Sequence, residues 1–167
     1  MRALPSYDEA TALRAAPPVV VPEEYADANG HLNVRHHLAL YDDAEWSLFD
    51  EFGAGSRAAE EGVGGMFALE QHLTYRREVV VGDEVAVQVR MLARDERSLH
   101  LVSYLVNLTR GEVAGSMEAL EGYVSYATRR LTPWPATSAD VLDGWIARDR
   151  ALPWRPELSG SLAVRGQ

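Results

Sequence analysis

The pattern of apolar and polar positions divides the chain into a short extended run, a long helix and a series of extended segments. The β-branched run that begins at Val19 predicts a strand over residues 19–25, at a sheet edge because Pro22 cannot donate a hydrogen bond. Residues 33–52 carry apolar side chains at helical spacing, which predicts a helix of about five turns that ends at Gly53. The apolar stripe of this helix consists of Leu38, Tyr41, Ala44, Leu48 and Phe52.

From Met66 onward the pattern changes to alternating, β-rich segments. They predict four strands, over residues 66–80, 83–95, 98–109 and 112–128. The turns between them are short, and such connections require antiparallel neighbours. A last amphipathic segment, residues 138–150, predicts a C-terminal helix packed on the outside.

These elements predict an α+β domain with a five-stranded antiparallel sheet wrapped around one long central helix, plus an extra C-terminal helix. An antiparallel sheet of this kind buries one face against the helix. We expect an N-terminal extension at residues 1–18, the domain at 19–130, and a C-terminal helix and tail at 131–167. The order and proportion of the elements resemble the hot-dog fold.

Composition and charge exclude several functions. The net charge of −9 repels a phosphate backbone, so we expect no nucleic acid partner. The chain has no cysteine, which excludes a thiolate nucleophile and a cysteine-type zinc site, and no lysine, which excludes a Schiff base. No stretch approaches the roughly 20 apolar residues of a membrane span. We therefore expect a cytoplasmic protein without a membrane partner.

Polar residues concentrate in one loop, Asp-Ala-Asn-Gly-His-Leu-Asn at residues 27–33, between the first predicted strand and the helix. This loop resembles the active-site segment of hot-dog acyl thioesterases. It matches the D-x-N-x-H-x-N form of the plant acyl-carrier-protein enzymes and the D-x-x-G form of the 4-hydroxybenzoyl-CoA thioesterase-like enzymes. Residues 67–85 and 97–107 are similar to bacterial thioesterases of the betainyl-CoA type. The resemblance covers residues 19–128, about two thirds of the chain.

The resemblance implies hydrolysis of a short- or medium-chain acyl-CoA, with no cofactor beyond the coenzyme A of the substrate. It implies that Asp27 is the nucleophile or general base, that Asn29 orients substrate or water, and that His31 polarises the thioester. It also implies that the backbone N–H groups after Gly30 contact the oxyanion. The residues support the same chemistry, because a helix N-terminus offers unpaired N–H donors to an oxyanion and an acid just before it reaches the same carbonyl. In the competing interpretation, Asp27, Asn29 and Asn33 only cap the helix and the turn. We expect Asn33 to be a cap alone.

Two further carboxylates are candidates for an assisting catalytic role. Glu78 falls in residues 74–79, which resemble the segment that carries the catalytic glutamate of the plant enzymes. Glu70 lies in an apolar strand, and other hot-dog thioesterases place an acid on the opposing subunit. Each of the two also suits an ordinary exposed position. The candidate substrate-binding residues are Gly30 and Leu32 in the loop, the aromatic Tyr41 and Phe67, and Arg76, Arg94 and Arg97, whose cations suit CoA phosphates.

Where the betainyl-type enzymes tend to have an aromatic pair early in the helix, this chain has His36 and His37. Where they tend to have histidine in the last strand, it has Tyr123. These changes would alter the lining of the acyl pocket. The histidines near the helix do not share one helical face at metal-ligand spacing, so we expect no metal.

Two alternatives share the predicted fold. Hot-dog enoyl-CoA hydratases resemble this loop, but they have proline where this chain has Gly30 and one more residue between the Asp and the His. A non-catalytic acyl-CoA-binding hot-dog protein would lack the acid that Asp27 supplies. In each case, joining two sheets edge to edge would remove exposed strand edges, so we expect a homodimer or homotetramer with the active site at the subunit interface.

Overall fold

The computed structural model describes residues 3–166. Helices span Tyr7–Thr11 (α1), Val34–Phe49 (α2), Ser56–Glu60 (α3) and Ala136–Arg150 (α4). Strands span Arg14–Ala15 (β1), Val19–Val20 (β2), Gly64–Tyr75 (β3), Glu84–Arg94 (β4), Ser98–Asn107 (β5), Glu112–Ser125 (β6) and Arg130–Leu131 (β7). All pairs are antiparallel, in the order β1-β4-β5-β6-β3, with β2 also on β4 and β7 also on β6.

The four predicted long strands are confirmed as β3 to β6. The predicted first strand is shorter than expected, because only Val19 and Val20 pair with β4 and a 3-10 turn follows at Glu23–Tyr25. Pro22 accounts for the break: it has no N–H for the ladder, and its carbonyl accepts from the Tyr25 N–H instead (3.1 Å). Two short strands, β1 and β7, extend the described sheet to seven strands rather than five.

The predicted central helix is confirmed as α2 with a short 3-10 extension at Asp50–Phe52. Asn33 is its N-cap, since the side-chain oxygen accepts from the Arg35 N–H (3.1 Å), and Gly53 ends it in the left-handed region (φ 71°). The buried stripe differs from the predicted one at Leu38, which is 40% exposed. The nearby residues His37 and Leu40 are buried instead.

Both faces of the sheet are covered, although the sequence predicted burial of one. The first core lies between the sheet, α2 and α4, and includes Leu48, Leu101 and Leu142. The second lies on the opposite face, where α1 and the chain after α4 cover apolar side chains of β5 and β6. Its members include Ala10, Leu13, Val102, Tyr104, Val106 and Val113. Predicted only as an extension and a tail, these end segments are packed parts of the fold.

The two edges of the sheet differ. On the β4 side, β1 and β2 cover the edge, whereas β3 has a single strand partner, β6, among residues 3–166. Leu69 in the middle of β3 is 45% exposed, and Glu70 beside it is exposed as well. None of the described helices is both long enough and apolar enough to cross a membrane.

Candidate active site

The loop that the sequence predicts as the active site, residues 27–33, is a tight turn that Asp27 closes. The Asp27 N–H donates to the His31 carbonyl (2.8 Å), and the Gly30 N–H donates to the Asp27 carbonyl (3.0 Å). Gly30 has φ 78°, a left-handed conformation that a side chain would strain. The loop is anchored to the chain before β4, where the Leu32 N–H donates to the Val79 carbonyl (2.7 Å).

The Asp27 carboxylate has one committed oxygen and one available oxygen. Its Oδ1 accepts from the backbone N–H groups of Asn29 (2.7 Å) and His31 (3.3 Å). Within the described chain, Oδ2 has a single long contact, from the Asn29 side-chain amide at 3.4 Å. The Asn29 N–H above all, together with the His31 N–H and the Asn29 amide, lowers the pKa of Asp27. Asp27 is therefore a turn residue and, at the same time, an ionised carboxylate with an oriented free oxygen.

Of the two candidate assisting acids, Glu78 lies at this loop. Its Oε2 is 3.5 Å from His31 Nε2, and both side chains are partly open to solvent. The contact follows from the anchor described above, because Glu78 directly precedes Val79. Glu70 lies instead in the middle of the β3 edge, opposite Leu120 and next to a bulge. The structure thus groups Asp27, Asn29, His31 and Glu78, and leaves Glu70 outside this group within one chain.

The N–H donors at the helix start differ from the predicted set. The predicted oxyanion contact is the backbone from Gly30 onward, but the N–H groups of residues 30–33 all donate within the chain. The N–H of Val34, the first residue of α2, has no acceptor among residues 3–166, and Val34 is well exposed. This N–H and the positive end of the helix dipole lie next to the Asp27 loop. The predicted role of Asn33 as a cap is confirmed.

The candidate substrate-binding residues Leu32, Tyr41 and Phe67 differ in how deeply they are buried. Leu32 and Tyr41 are core residues with almost no exposed surface. Phe67 in β3 is half-buried and packs edge-on against Tyr126 (6.2 Å between ring centroids). Tyr41 and Phe67 therefore serve packing in the single chain, while Gly30 belongs to the turn itself.

The three candidate arginines do not converge on the loop. Arg76 follows β3, and its N–H donates to the Ala114 carbonyl (2.9 Å). Arg94 and Arg97 lie at the tip between β4 and β5, at the far end of β4 from the chain segment that anchors the loop. There Arg94 forms a two-point ion pair with Asp143 and Arg97 lies 3.8 Å from Glu96. Binding of CoA phosphate by Arg94 or Arg97 would need a second chain.

One contact at the site was not predicted from the sequence. The ring of Tyr25 stacks on His36 with centroids 4.0 Å apart and an interplanar angle of 5°. The Tyr25 carbonyl also accepts from the Asn33 N–H (2.9 Å), which ties the stack to the helix start. The one sequence signal for this contact was His36 in place of an aromatic residue of the betainyl-type pair. Its partner, Tyr25, lies on the other side of the loop, and their contact depends on the three-dimensional fold. Among residues 3–166, no three His, Cys, Asp or Glu side chains are grouped in a way that could hold a metal ion.

Comparison with known proteins identifies the class to which this fold and loop belong. The model of the thioesterase-like superfamily matches residues 20–146. The chain is 28% identical over 134 residues to the betainyl-CoA thioesterase of Pseudomonas aeruginosa, a match that covers 80% of this chain and 84% of that protein.

Solved structures give the same result for the fold. A Staphylococcus aureus protein solved in complex with CoA superposes with a TM-score of 0.79 at 22% identity, over 90% of this chain and 96% of that one. A structure from Pseudomonas putida KT2440 superposes with a TM-score of 0.76 at 26% identity and the same coverage. The domain is thus a hot-dog fold. The chain belongs to the thioesterase-like superfamily, and it is a thioester hydrolase.

Proposed function

We propose that this protein hydrolyses short- or medium-chain acyl-CoA thioesters to the free acid and CoA in the cytoplasm, without a metal or other cofactor. The observation that carries the proposal is the ionised Asp27 carboxylate, which its own loop holds with Oδ2 available. This loop leads directly into α2, whose first N–H, that of Val34, has no acceptor among residues 3–166. The CoA complex of the S. aureus relative and the CoA thioester named for the P. aeruginosa relative support this class of substrate.

The proposed reaction places the thioester carbonyl at the start of α2. In one route Asp27 Oδ2 takes a proton from a water that attacks the carbonyl carbon; in the other it attacks that carbon itself and forms a mixed anhydride, which a water then hydrolyses to the free acid. In both routes the carbon–sulfur bond breaks, and the CoA thiolate that leaves takes up a proton. The Val34 N–H and the helix dipole stabilise the oxyanion that forms. His31, positioned by Glu78, donates a hydrogen bond to the thioester. Asn29 lies beside Oδ2 and orients the water or the substrate.

The proposal includes a homodimer formed through β3. This strand has an open edge with exposed Leu69 and Glu70, whereas β4 is covered by β1 and β2. Pairing two β3 edges would satisfy their backbone groups and cover the apolar side chain. It would also bring Glu70 of one chain close to α2 of the other, which is the arrangement in which Glu70 could assist. The covered back face of the sheet favours the dimer over a homotetramer.

The test of the proposal is thiol release from a panel of acyl-CoAs by the wild type and by Asp27→Asn. The panel contains acetyl-, butyryl-, hexanoyl-, octanoyl- and betainyl-CoA. Asparagine keeps the oxygen that accepts from the Asn29 and His31 N–H groups, so the loop is retained while the carboxylate is lost. We expect kcat to fall by about 100-fold or more, the range for loss of a positioned general base. The matched control is Glu24→Gln, which removes an exposed acid near the loop and is expected to keep wild-type activity.

The outcomes separate the alternatives. Full activity of Asp27→Asn removes Asp27 from the mechanism. Binding of acyl-CoA without hydrolysis by either protein supports a non-catalytic acyl-CoA-binding function. Hydration of crotonyl-CoA without thiol release supports the hydratase.

A further inference from the structure

An apolar groove runs along the side of α2 that faces β4. Its volume is about 260 Å³. The floor is formed by buried aliphatic side chains from the chain before β2, from α2 and from β4. They are Ala16, Leu40, Ala44, Val85 and Val87. Val19 lies on the rim and is 42% exposed, so apolar surface is left open to solvent at the rim.

One end of the groove lies next to the loop of the candidate active site. Tyr25 lines one end of it, and Asp27 follows two residues later in the chain. The His36 ring that stacks on Tyr25 lies on the same side of α2 as Leu40 and Ala44, because residues four apart share a helical face. Ser47 lines the far end, so the groove follows α2 from Leu40 to Ser47, roughly 10 Å of helix.

Small side chains create this space. Ala44 and Ala16 present only a methyl group to the floor, and larger residues at either position would occupy the groove. The lining contains no basic side chain, and its charged member is Asp43 on the rim. The groove therefore suits an uncharged apolar group and repels a carboxylate.

We propose that this groove is the acyl pocket of the enzyme: the acyl chain passes the Tyr25–His36 stack and lies along α2 against Leu40, Ala44 and β4. The inference rests on the proposed hydrolysis, since the position of the acyl chain follows from a thioester carbonyl held at the start of α2. With about 30 Å³ for each small group at liquid density, about 260 Å³ holds roughly eight or nine non-hydrogen atoms. The substrate class is thus a neutral, apolar acyl-CoA of about four to eight carbons.

The experiment changes the size of the groove and measures the chain-length profile. Ala44→Leu fills the groove near its middle, and we expect the ratio of kcat/KM for octanoyl-CoA to that for propionyl-CoA to fall at least tenfold, as expected for a few methylene groups in an apolar pocket. Val19→Trp narrows the groove from its exposed rim and should change the ratio in the same direction. Because Val19 is outside the core, this second variant keeps the test valid if Ala44→Leu fails to fold.

The matched control is Ala39→Leu, a change of equal size on α2 at a residue that does not line the groove. We expect it to keep the wild-type ratio. An active wild type whose ratio is unchanged by both groove variants overturns the acyl pocket and leaves the proposed hydrolysis standing. A preference of the wild type for betainyl-CoA or for dicarboxylic acyl-CoAs over octanoyl-CoA also overturns it. A wild type that releases no thiol from any substrate overturns the proposed function, and the pocket with it.

Discussion

The two long faces of α2 bury opposite chemistry. Toward β4, Leu40 and Ala44 meet Val85 and Val87, and the contact leaves an apolar groove. Toward β3, β6 and β5, the helix presents His37, Tyr41 and Glu45, spaced four residues apart. These three side chains are also buried; His37 packs edge-on against Tyr75, and Glu45 accepts a hydrogen bond from the Ser103 hydroxyl. The comparison shows that one helix can leave space for a ligand on one side and bury its own polar groups on the other.

The polar face holds its titratable groups in their neutral forms. Burial lowers the pKa of His37 to about 4, and its Nδ1 has no hydrogen-bond partner among the described residues. Burial, reinforced by the charge of Glu121, raises the pKa of Glu45 well above its usual range, although the Ser103 hydroxyl donates a hydrogen bond to it (2.5 Å). Burial, with the charge of Asp42 added, raises the pKa of Glu121 to about 8. Such groups cost stability when they ionise.

The largest expected effect on stability comes from the apolar packing. Leu48 lies in the main core, and Leu48→Ala should lower the free energy of unfolding by about 2–5 kcal/mol, because it removes buried methyl groups and leaves a cavity. The loss should be the same at pH 5 and at pH 8. Urea unfolding measures it, with the exposed Leu38→Ala on the same helix as the control, expected within about 1 kcal/mol of wild type. If the loss of stability in Leu48→Ala depended on pH, the packing of the apolar core would be coupled to the titratable groups on the polar face of α2.

The next effect is a stability that falls as pH rises. The pKa of Glu121 in the folded protein is about 8 against an ordinary value of 4.5, so the folded state keeps a proton that the unfolded chain has lost. The stabilisation is present below pH 4.5 and declines as pH rises to 8, by at most about 1.4 kcal/mol per pH unit. In Glu121→Gln this decline should be smaller, as measured by urea unfolding across that range. The control is Glu70→Gln at an exposed site; a difference in stability between the wild type and Glu121→Gln that does not change with pH would contradict the prediction.

The smallest effect of the series lies on the acid side. His37 has a pKa of about 4 in the folded protein against an ordinary 6.5, so the unfolded chain gains its proton first as pH falls. The contribution of His37 to stability should therefore decrease from pH 6.5 toward pH 4, over a shorter range than for Glu121 and with the opposite sign. His37→Phe removes this dependence. Histidine ring shifts followed by NMR give the pKa of His37 directly, and an ordinary pKa for His37 would refute the neutral polar face.

Local signals in the sequence were sufficient for most of the fold. Asn33 as a cap, Gly53 as a stop and the alternation in the four long strands depend on neighbours in the chain, so the pattern predicts them. Covering of the back face by α1 and the C-terminal tail depends on contacts between residues far apart in sequence, and the polar composition of residues 1–18 gave no sign of it.

The site shows the same division. The loop from Asp27 to His31 was predictable because its residues act within one turn. The approach of Glu78 to His31 depends on the hydrogen bond from Leu32 to Val79, which spans two separate segments. The burial of Glu121 was predictable from the sequence, because Glu121 continues the alternation of Met117, Ala119 and Tyr123, which are all buried.

The hydrogen bonds of Asp27 have a consequence for how this loop can diverge. One oxygen of its carboxylate closes the turn, and the other is the oxygen that the proposed reaction uses. Exchange of that second oxygen for an NH₂ group, the change from Asp to Asn, would retain the turn and abolish the attack. Evolution from an enzyme to a protein that only recognises acyl-CoA would then require a single codon change at this position, with no remodelling of the fold around it.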